Sequence, residues 1–338
     1  MLFETKEDLS RLLVALPAAA TEARAAAAHR QTQLTKPAGS LGRLEDIAVF
    51  LAGWQRDGVP AAERIQVLVF AGNHGVTRQA VSPFPSEVTV QMVANFRSGG
   101  AAINALAHAF GLDLAVHALD LEHPTRDIST EPAMTEAETL EALNAGAAAI
   151  DSRADIVIFG EMGIGNTTIA AALCAACLGG SGAAWAGPGT GLDAPGVAHK
   201  ALVIDRALTR HGNTEMSAFD CLRSLGGREL CAIAGGVAAA RLQRIPVVLD
   251  GFVVSAALAP LFKEAPDILA HCLAGHCSAE PAHRHLLERF GLAPLLTLSM
   301  RLGEGTGAAL ASQVIRGAVA THTRMATFAE AGLSDRGA

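Results

Sequence analysis

Short apolar runs that end in polar, glycine-rich turns constrain this chain more than any other feature. Ile65-Gln66-Val67-Leu68-Val69-Phe70-Ala71 runs into Gly72-Asn73-His74-Gly75-Val76. Asp155-Ile156-Val157-Ile158-Phe159-Gly160 runs into Glu161-Met162-Gly163-Ile164-Gly165-Asn166-Thr167-Thr168. Ile245-Pro246-Val247-Val248-Leu249 ends in Asp250-Gly251, and the run from Pro294 to Met300 ends in Arg301-Leu302-Gly303-Glu304-Gly305-Thr306-Gly307. A further strand pattern covers residues 112–119. Such runs are buried strands when helical patterns separate them. Here helices are predicted over 135–150, after Thr168, over 197–210, after Gly226, and after Gly307. The alternation predicts a doubly wound, mostly parallel α/β sheet with helices on both faces. Sites in such sheets lie at the carboxyl ends of strands, where these polar turns fall.

The chain ends lack strands. Residues 5–30 are Ala-rich with spaced charges and read as helix around Pro17, and a helix from Ser40 or Leu41 to about Gln55 follows the Lys36–Gly42 loop. We therefore expect residues 1–60, joined by about 320–338, to form a small helical domain, and residues 61–320 to form the α/β catalytic domain. With 338 residues, 50% of them hydrophobic, the chain has material for a large core. A net charge of −7 without a basic cluster argues against nucleic acid as a partner. No apolar run reaches the ~18 residues of a membrane span, and the acidic start, Glu4 to Asp8, is unlike a signal peptide. The expected location is the cytoplasm. Cys174, Cys177, Cys221, Cys231, Cys272 and Cys277 are scattered and read as reduced thiols. The His271–Cys277 stretch, with His283 and His285 beyond it, lacks the paired spacing of a zinc site, and no metal is expected.

The turn Gly160–Thr168 carries the strongest anion signal. Glycines expose backbone N–H groups, and a helix start adds its dipole and free donors. Thr167 or Thr168 either caps the helix or touches phosphate. No Lys follows the glycines, so this is not a P-loop. Glu304, in a glycine-flanked turn, is either a general base or merely a cap for the following helix. Lys200 either neutralises a phosphate or is a solvated helix lysine. Lys36 and Arg43 either receive an anion or form a solvated loop face. His74 reads as a structural histidine, and the Gly235-Gly236 pair as close backbone packing or a bend.

Taken together, the motifs resemble one family. They are Lys36-Pro37-Ala38-Gly39-Ser40-Leu41-Gly42-Arg43-Leu44, His74-Gly75-Val76 with Val81-Ser82-Pro83, Gly160 to Thr168, Leu249-Asp250-Gly251-Phe252, His276-Cys277-Ser278-Ala279-Glu280, and Met300 to Ala308. The chain is similar, over nearly its whole length, to the nicotinate-nucleotide–dimethylbenzimidazole phosphoribosyltransferases of cobalamin lower-ligand synthesis. The resemblance implies transfer of phosphoribosyl from nicotinate mononucleotide to 5,6-dimethylbenzimidazole, with inversion at C1′. It implies Glu304 as general base, and Ser82, Gln91 and Leu302 beside it in the base pocket. It implies that Gly163, Gly165, Asn166, Gly189 and Lys200 hold the nucleotide. No metal or cofactor is implied, and a homodimer is. A second carboxylate would stabilise a cationic ribosyl centre, and Glu161 is placed for that role. The competing expectations are a nucleotide-binding regulator without turnover and a structural assembly protein.

Overall fold

The computed structural model describes residues 1–211 and 215–334. Within them one parallel sheet forms from β1 (Ile65–Ala71), β2 (Asp113–Ala118), β3 (Ile156–Met162), β4 (Val247–Leu249), β5 (Cys272–His276) and β6 (Pro294–Leu296). The order is β2-β1-β3-β4-β5-β6, and every neighbouring pair is parallel. The chain steps outward from β1 to β2, then returns to the other side of β1 with β3. The switch point therefore lies between the carboxyl ends of β1 and β3, where an open α/β sheet binds its ligand.

Strand residues alternate between two cores, as the pleat requires. Leu68, Phe70, Val157 and Phe159 face one core, with Leu143, Leu230 and Ile233 from the covering helices. Val67, Val69, Ile156 and Ile158 face the other, with Ile47, Leu51, Ile103 and Ile315. The doubly wound architecture read from the sequence is the observed one. The strands differ in detail toward the C-terminus, where the run from Ile245 gives strand only over Val247–Leu249. β5 falls on the His271–Cys277 stretch, where the sequence analysis placed no strand, and its residues are mostly buried. The run 294–300 gives strand only over Pro294–Leu296.

Glycine sets how closely the helices approach. Helix Glu136–Ala148 crosses helix Arg228–Leu242 so tightly that a Cβ on Gly146 would overlap the Ala232 carbonyl, and one on Gly235 would overlap the Leu143 carbonyl. The glycine pair thus marks backbone packing, with no break in the helix.

The chain ends frame the sheet. Helix Glu7–Val14 buries Leu9 and Leu13 in the first core, and helix Arg43–Trp54 buries Ile47 and Leu51 in the second. Between them, helix Thr21–Gln33 meets the far end of the chain: Arg30 donates to the carbonyls of His322 (2.8 Å) and Met325 (3.2 Å). Among the described residues no helix is long and apolar enough to cross a membrane.

Candidate active site

The site is built first from the end of β3. Glu161 is buried there, and the side-chain amide of Asn166, the first residue of helix Asn166–Leu178, donates to its Oε2. Burial pushes its carboxyl up to about 8, helped by the charges of Asp250, Glu229 and Glu304, with Asn166 opposing. Gly163 and Gly165 have steric reasons to be glycine. A Cβ on Gly163 would lie 2.7 Å from the Gly72 carbonyl and 3.0 Å from the His74 ring, and Gly165 has φ +90°. Behind them His74 and Glu229 form a fully buried pair at 2.6 Å. The helix start carries no side-chain cap: the N–H groups of Asn166 and Thr168 make tight turns to the Gly163 (3.1 Å) and Gly165 (3.0 Å) carbonyls, and the Thr167 N–H between them is left for a ligand.

The second contribution crosses the sheet. After β6 the chain runs back over the strand ends, and the Gly303–Gly305 turn lies against β3. A Cβ on Gly160 would collide with the Glu304 backbone, and one on Gly303 with the Glu161 carboxylate. Glu304 itself sits at φ +64°, a left-handed conformation that a residue of this type holds only at a cost and that is enriched where function demands it. It does not cap the following helix. Asp250, from the end of β4, does: its carboxylate accepts the N–H of Gly305 (3.2 Å) and of Ala308 (2.9 Å) at the start of helix Thr306–Arg324. The Glu304 carboxyl is raised by burial and by the charge of Asp250, opposed by the backbone N–H of Ile103, and its Oε2 is buried without a partner.

The third wall is the loop Gly187–Thr190. Lys200 is fully buried and donates to Thr167 Oγ1 (2.8 Å) and to the Gly187 carbonyl (3.1 Å). Burial lowers its ammonium to about 8, against the charge of Glu280, which raises it. Glu280 accepts the Gly189 N–H at 3.2 Å, and its own carboxyl is raised by burial. Arg301 reaches the Gly189 carbonyl at 3.3 Å.

The structure thus brings Glu161, Gly163, Asn166, Gly189 and Leu302 to one cavity, with Lys200 bonded to the cavity-lining Thr167. Gly165 lies behind it, against Thr77. Glu304 adjoins the cavity through Gly303 but faces Ile103 at the start of helix Ala102–Phe110. Ser82 stands at the rim, 3.4 Å from the Thr190 hydroxyl, and Gln91 is exposed on helix Glu87–Arg97, outside the cavity lining. Lys36 and Arg43 are engaged within the protein: Lys36 pairs with Glu45 at 2.8 Å, and Arg43 donates to the carbonyls of Pro294 and Ala293. The residue-level reading gave no role to Asp250, His276 or Glu280, although Asp250 follows a predicted strand and His276 and Glu280 share a quoted motif. The strand-end position was an available signal for Asp250 alone. Among the described residues, no group of His, Cys, Asp and Glu has the arrangement to hold a metal ion.

An uncapped helix start at the carboxyl end of β3, beside the desolvated carboxyl of Glu161, suits an enzyme that transfers a group from a small phosphorylated molecule. A family model described as phosphoribosyltransferase matches residues 16–333, and the chain is a phosphoribosyltransferase. Its relatives narrow this. A nicotinate-nucleotide–dimethylbenzimidazole phosphoribosyltransferase from Novosphingobium aromaticivorans is 60% identical over 95% of each chain. One of the same name from Roseobacter denitrificans is 54% identical over 98% of each. A crystal structure of that enzyme from Thermus thermophilus superposes with a TM-score of 0.87 at 42% identity, over 93% of this chain and 99% of that one. The chain belongs to the nicotinate-nucleotide–dimethylbenzimidazole phosphoribosyltransferase family.

Proposed function

We propose that the chain transfers the phosphoribosyl group of nicotinate mononucleotide to 5,6-dimethylbenzimidazole, releasing nicotinate and α-ribazole 5′-phosphate with inversion at C1′, as a step in cobalamin lower-ligand synthesis. The observation that carries this reading is the pairing of two desolvated carboxylates, Glu161 and Glu304, across the glycines of one turn beside a phosphate-type helix start. The donor phosphate takes the Thr167 N–H at the positive end of the helix, with Gly163, Gly165 and Gly189 admitting it closely, Asn166 beside it and Lys200 adding charge. C1′ then lies near Glu161, whose carboxyl gives up its proton when the positively charged donor binds beside it and, as the carboxylate, stabilises the cationic ribosyl centre. The departing pyridinium is already positive and needs no acid. The incoming nitrogen attacks C1′ from the opposite face as the other ring nitrogen loses its proton. Glu304 Oε2, unpartnered in the free protein, is the acceptor of that proton. A carboxyl raised toward the working pH suits a general base. Ser82 and Leu302 flank the base, with Gln91 on the outer side.

We further infer a cytoplasmic homodimer. The loops that carry the site also expose Phe84, Leu298 and Leu302, apolar surface that a second copy would cover. Light scattering giving a monomer mass would refute this.

Chromatography of nicotinate released from nicotinate mononucleotide, with and without 5,6-dimethylbenzimidazole, tests the reaction. Base-dependent release with an α-ribosyl product is expected. Release without the base would make the protein a nucleotide hydrolase. Tight binding without release would make it a nucleotide-binding regulator.

A further inference from the structure

The cavity is lopsided. On the β1 side it is closed, because Gly163 packs against the Gly72 carbonyl and the His74 ring. It opens from β3 toward the loops after β4 and β5, lined there by Gly251, Phe252, His276, Ser278 and Glu280. A nucleotide with its phosphate at Asn166 and its C1′ near Glu161 spans the cavity along β3. Its ribose hydroxyls then have one direction left to face, the β5 loop.

The polar groups waiting there are unequal. Ser278 is engaged: its N–H donates to His283 Nδ1 at 2.9 Å, and its hydroxyl lies 3.0 Å from the same nitrogen. His276 is 2% exposed and neither ring nitrogen has a hydrogen bond; Nε2 stands 3.5 Å from Asp250 Oδ1. Glu280 is 6% exposed, with Oε2 on the Gly189 N–H and Oε1 buried without a partner. Buried polar atoms left unpaired are costly and uncommon in native proteins. These belong to a cavity wall, so a ligand is the natural source of the missing partners. A carboxylate oxygen takes only hydrogen-bond donors. The phosphate dianion has none, and the ribose hydroxyls do.

We propose that Glu280, with His276 beside it, binds the ribose hydroxyls of the donor nucleotide and selects ribonucleotide over deoxyribonucleotide. The inference rests on the donor assigned under the proposed function. Glu280 accepts one hydroxyl proton through Oε1 while Oε2 keeps the Gly189 loop in place, and a His276 nitrogen takes the neighbouring hydroxyl. Lining up the hydroxyls also fixes the sugar face that C1′ turns to the acceptor.

The test compares nicotinate mononucleotide with its 2′-deoxy and 3′-deoxy analogues, in wild type and in Glu280→Gln. Wild type is expected to prefer the ribonucleotide over at least one analogue by about 30-fold or more in kcat/KM, since a site built for a hydroxyl rejects a substrate lacking it. In Glu280→Gln that preference should shrink to about threefold or less, because the variant slows the ribonucleotide and barely affects the analogue. Glu280→Asp, which keeps the charge one methylene short, should fall between. Equal use of all three donors by wild type overturns the proposal without any variant. A preference that persists undiminished in Glu280→Gln and Glu280→Asp overturns it too, and leaves Glu280 as a clamp on the Gly189 loop. Calorimetric binding of the same donors without acceptor gives the same ranking even if no transfer occurs. Failure of this inference is thereby separated from failure of the transferase reading.

Discussion

Glu161→Gln changes one proton-binding group and little else, because a glutamine oxygen accepts the Asn166 amide as the carboxylate does. In the folded chain the Glu161 carboxyl rises from 4.5 to about 8 through burial and the neighbouring acids. Between those values the unfolded chain has released the proton and the folded chain retains it, so stability is lost as pH rises from 4.5 toward 8. The difference is about 3.5 pH units, or about 5 kcal/mol in full at ~1.4 kcal/mol per unit. From pH 5 to pH 8.5 the two-site linkage expression captures about 4 kcal/mol of it. Glutamine has no proton to lose. Urea unfolding of wild type and Glu161→Gln at pH 5 and pH 8.5 should therefore show the variant gaining about 4 kcal/mol on wild type across that interval. The same variant should lose roughly 10²–10³-fold in nicotinate release, since the cationic centre loses its counter-charge. A constant stability difference at both pH values would refute the reasoning, because Glu161 would then titrate alike in folded and unfolded chains.

Glu304→Gln should cut base-dependent nicotinate release by about 10²-fold or more while calorimetric donor binding stays within a factor of about three; full turnover would remove Glu304 from the chemistry. Lys200 loses its proton near pH 8 in the free protein, so donor affinity measured by calorimetry should weaken as pH rises through 8, and Lys200→Met should bind about tenfold or more weaker at pH 7. An unchanged affinity in Lys200→Met would deny it the phosphate. Gly146→Ala forces a methyl into the Ala232 carbonyl and should destabilise by about 3 kcal/mol in urea unfolding; an unchanged midpoint would show that the helix pair relaxes freely.

Local pattern made part of this molecule legible. β1 and β3 are contiguous apolar runs with the polar turn attached, so Glu161, Gly163 and Asn166 arrive as one stretch and stay together in the fold. β5 was hidden because its segment reads His-Cys-Leu-Ala-Gly-His, a composition that draws attention to ligands and away from strand. The cap on helix Thr306–Arg324 was hidden for another reason. Glu304 is the acid nearest in sequence, yet Asp250 supplies the carboxylate from 55 residues away. Only the return of the chain after β6 brings the two together. Lys36 and Arg43 stayed open between an anion site and a solvated face because their partners, Glu45 and the carbonyls at 293 and 294, are fixed by tertiary packing.

The turn after Arg301 divides into two parts that differ in freedom. Gly303 and Gly305 are left-handed, Gly303 has no room for a side chain beside Glu161, and Asp250 holds the Gly305 N–H. Leu302, one residue earlier, is 58% exposed at the cavity mouth. Replacement of Leu302 would change the surface at that mouth and is expected to leave the Glu304 backbone in place. On the proposed reaction, acceptor preference has an open position on the same loop whose next residues are locked, so mutation at Leu302 would explore new acceptors while Glu304 stays where it is.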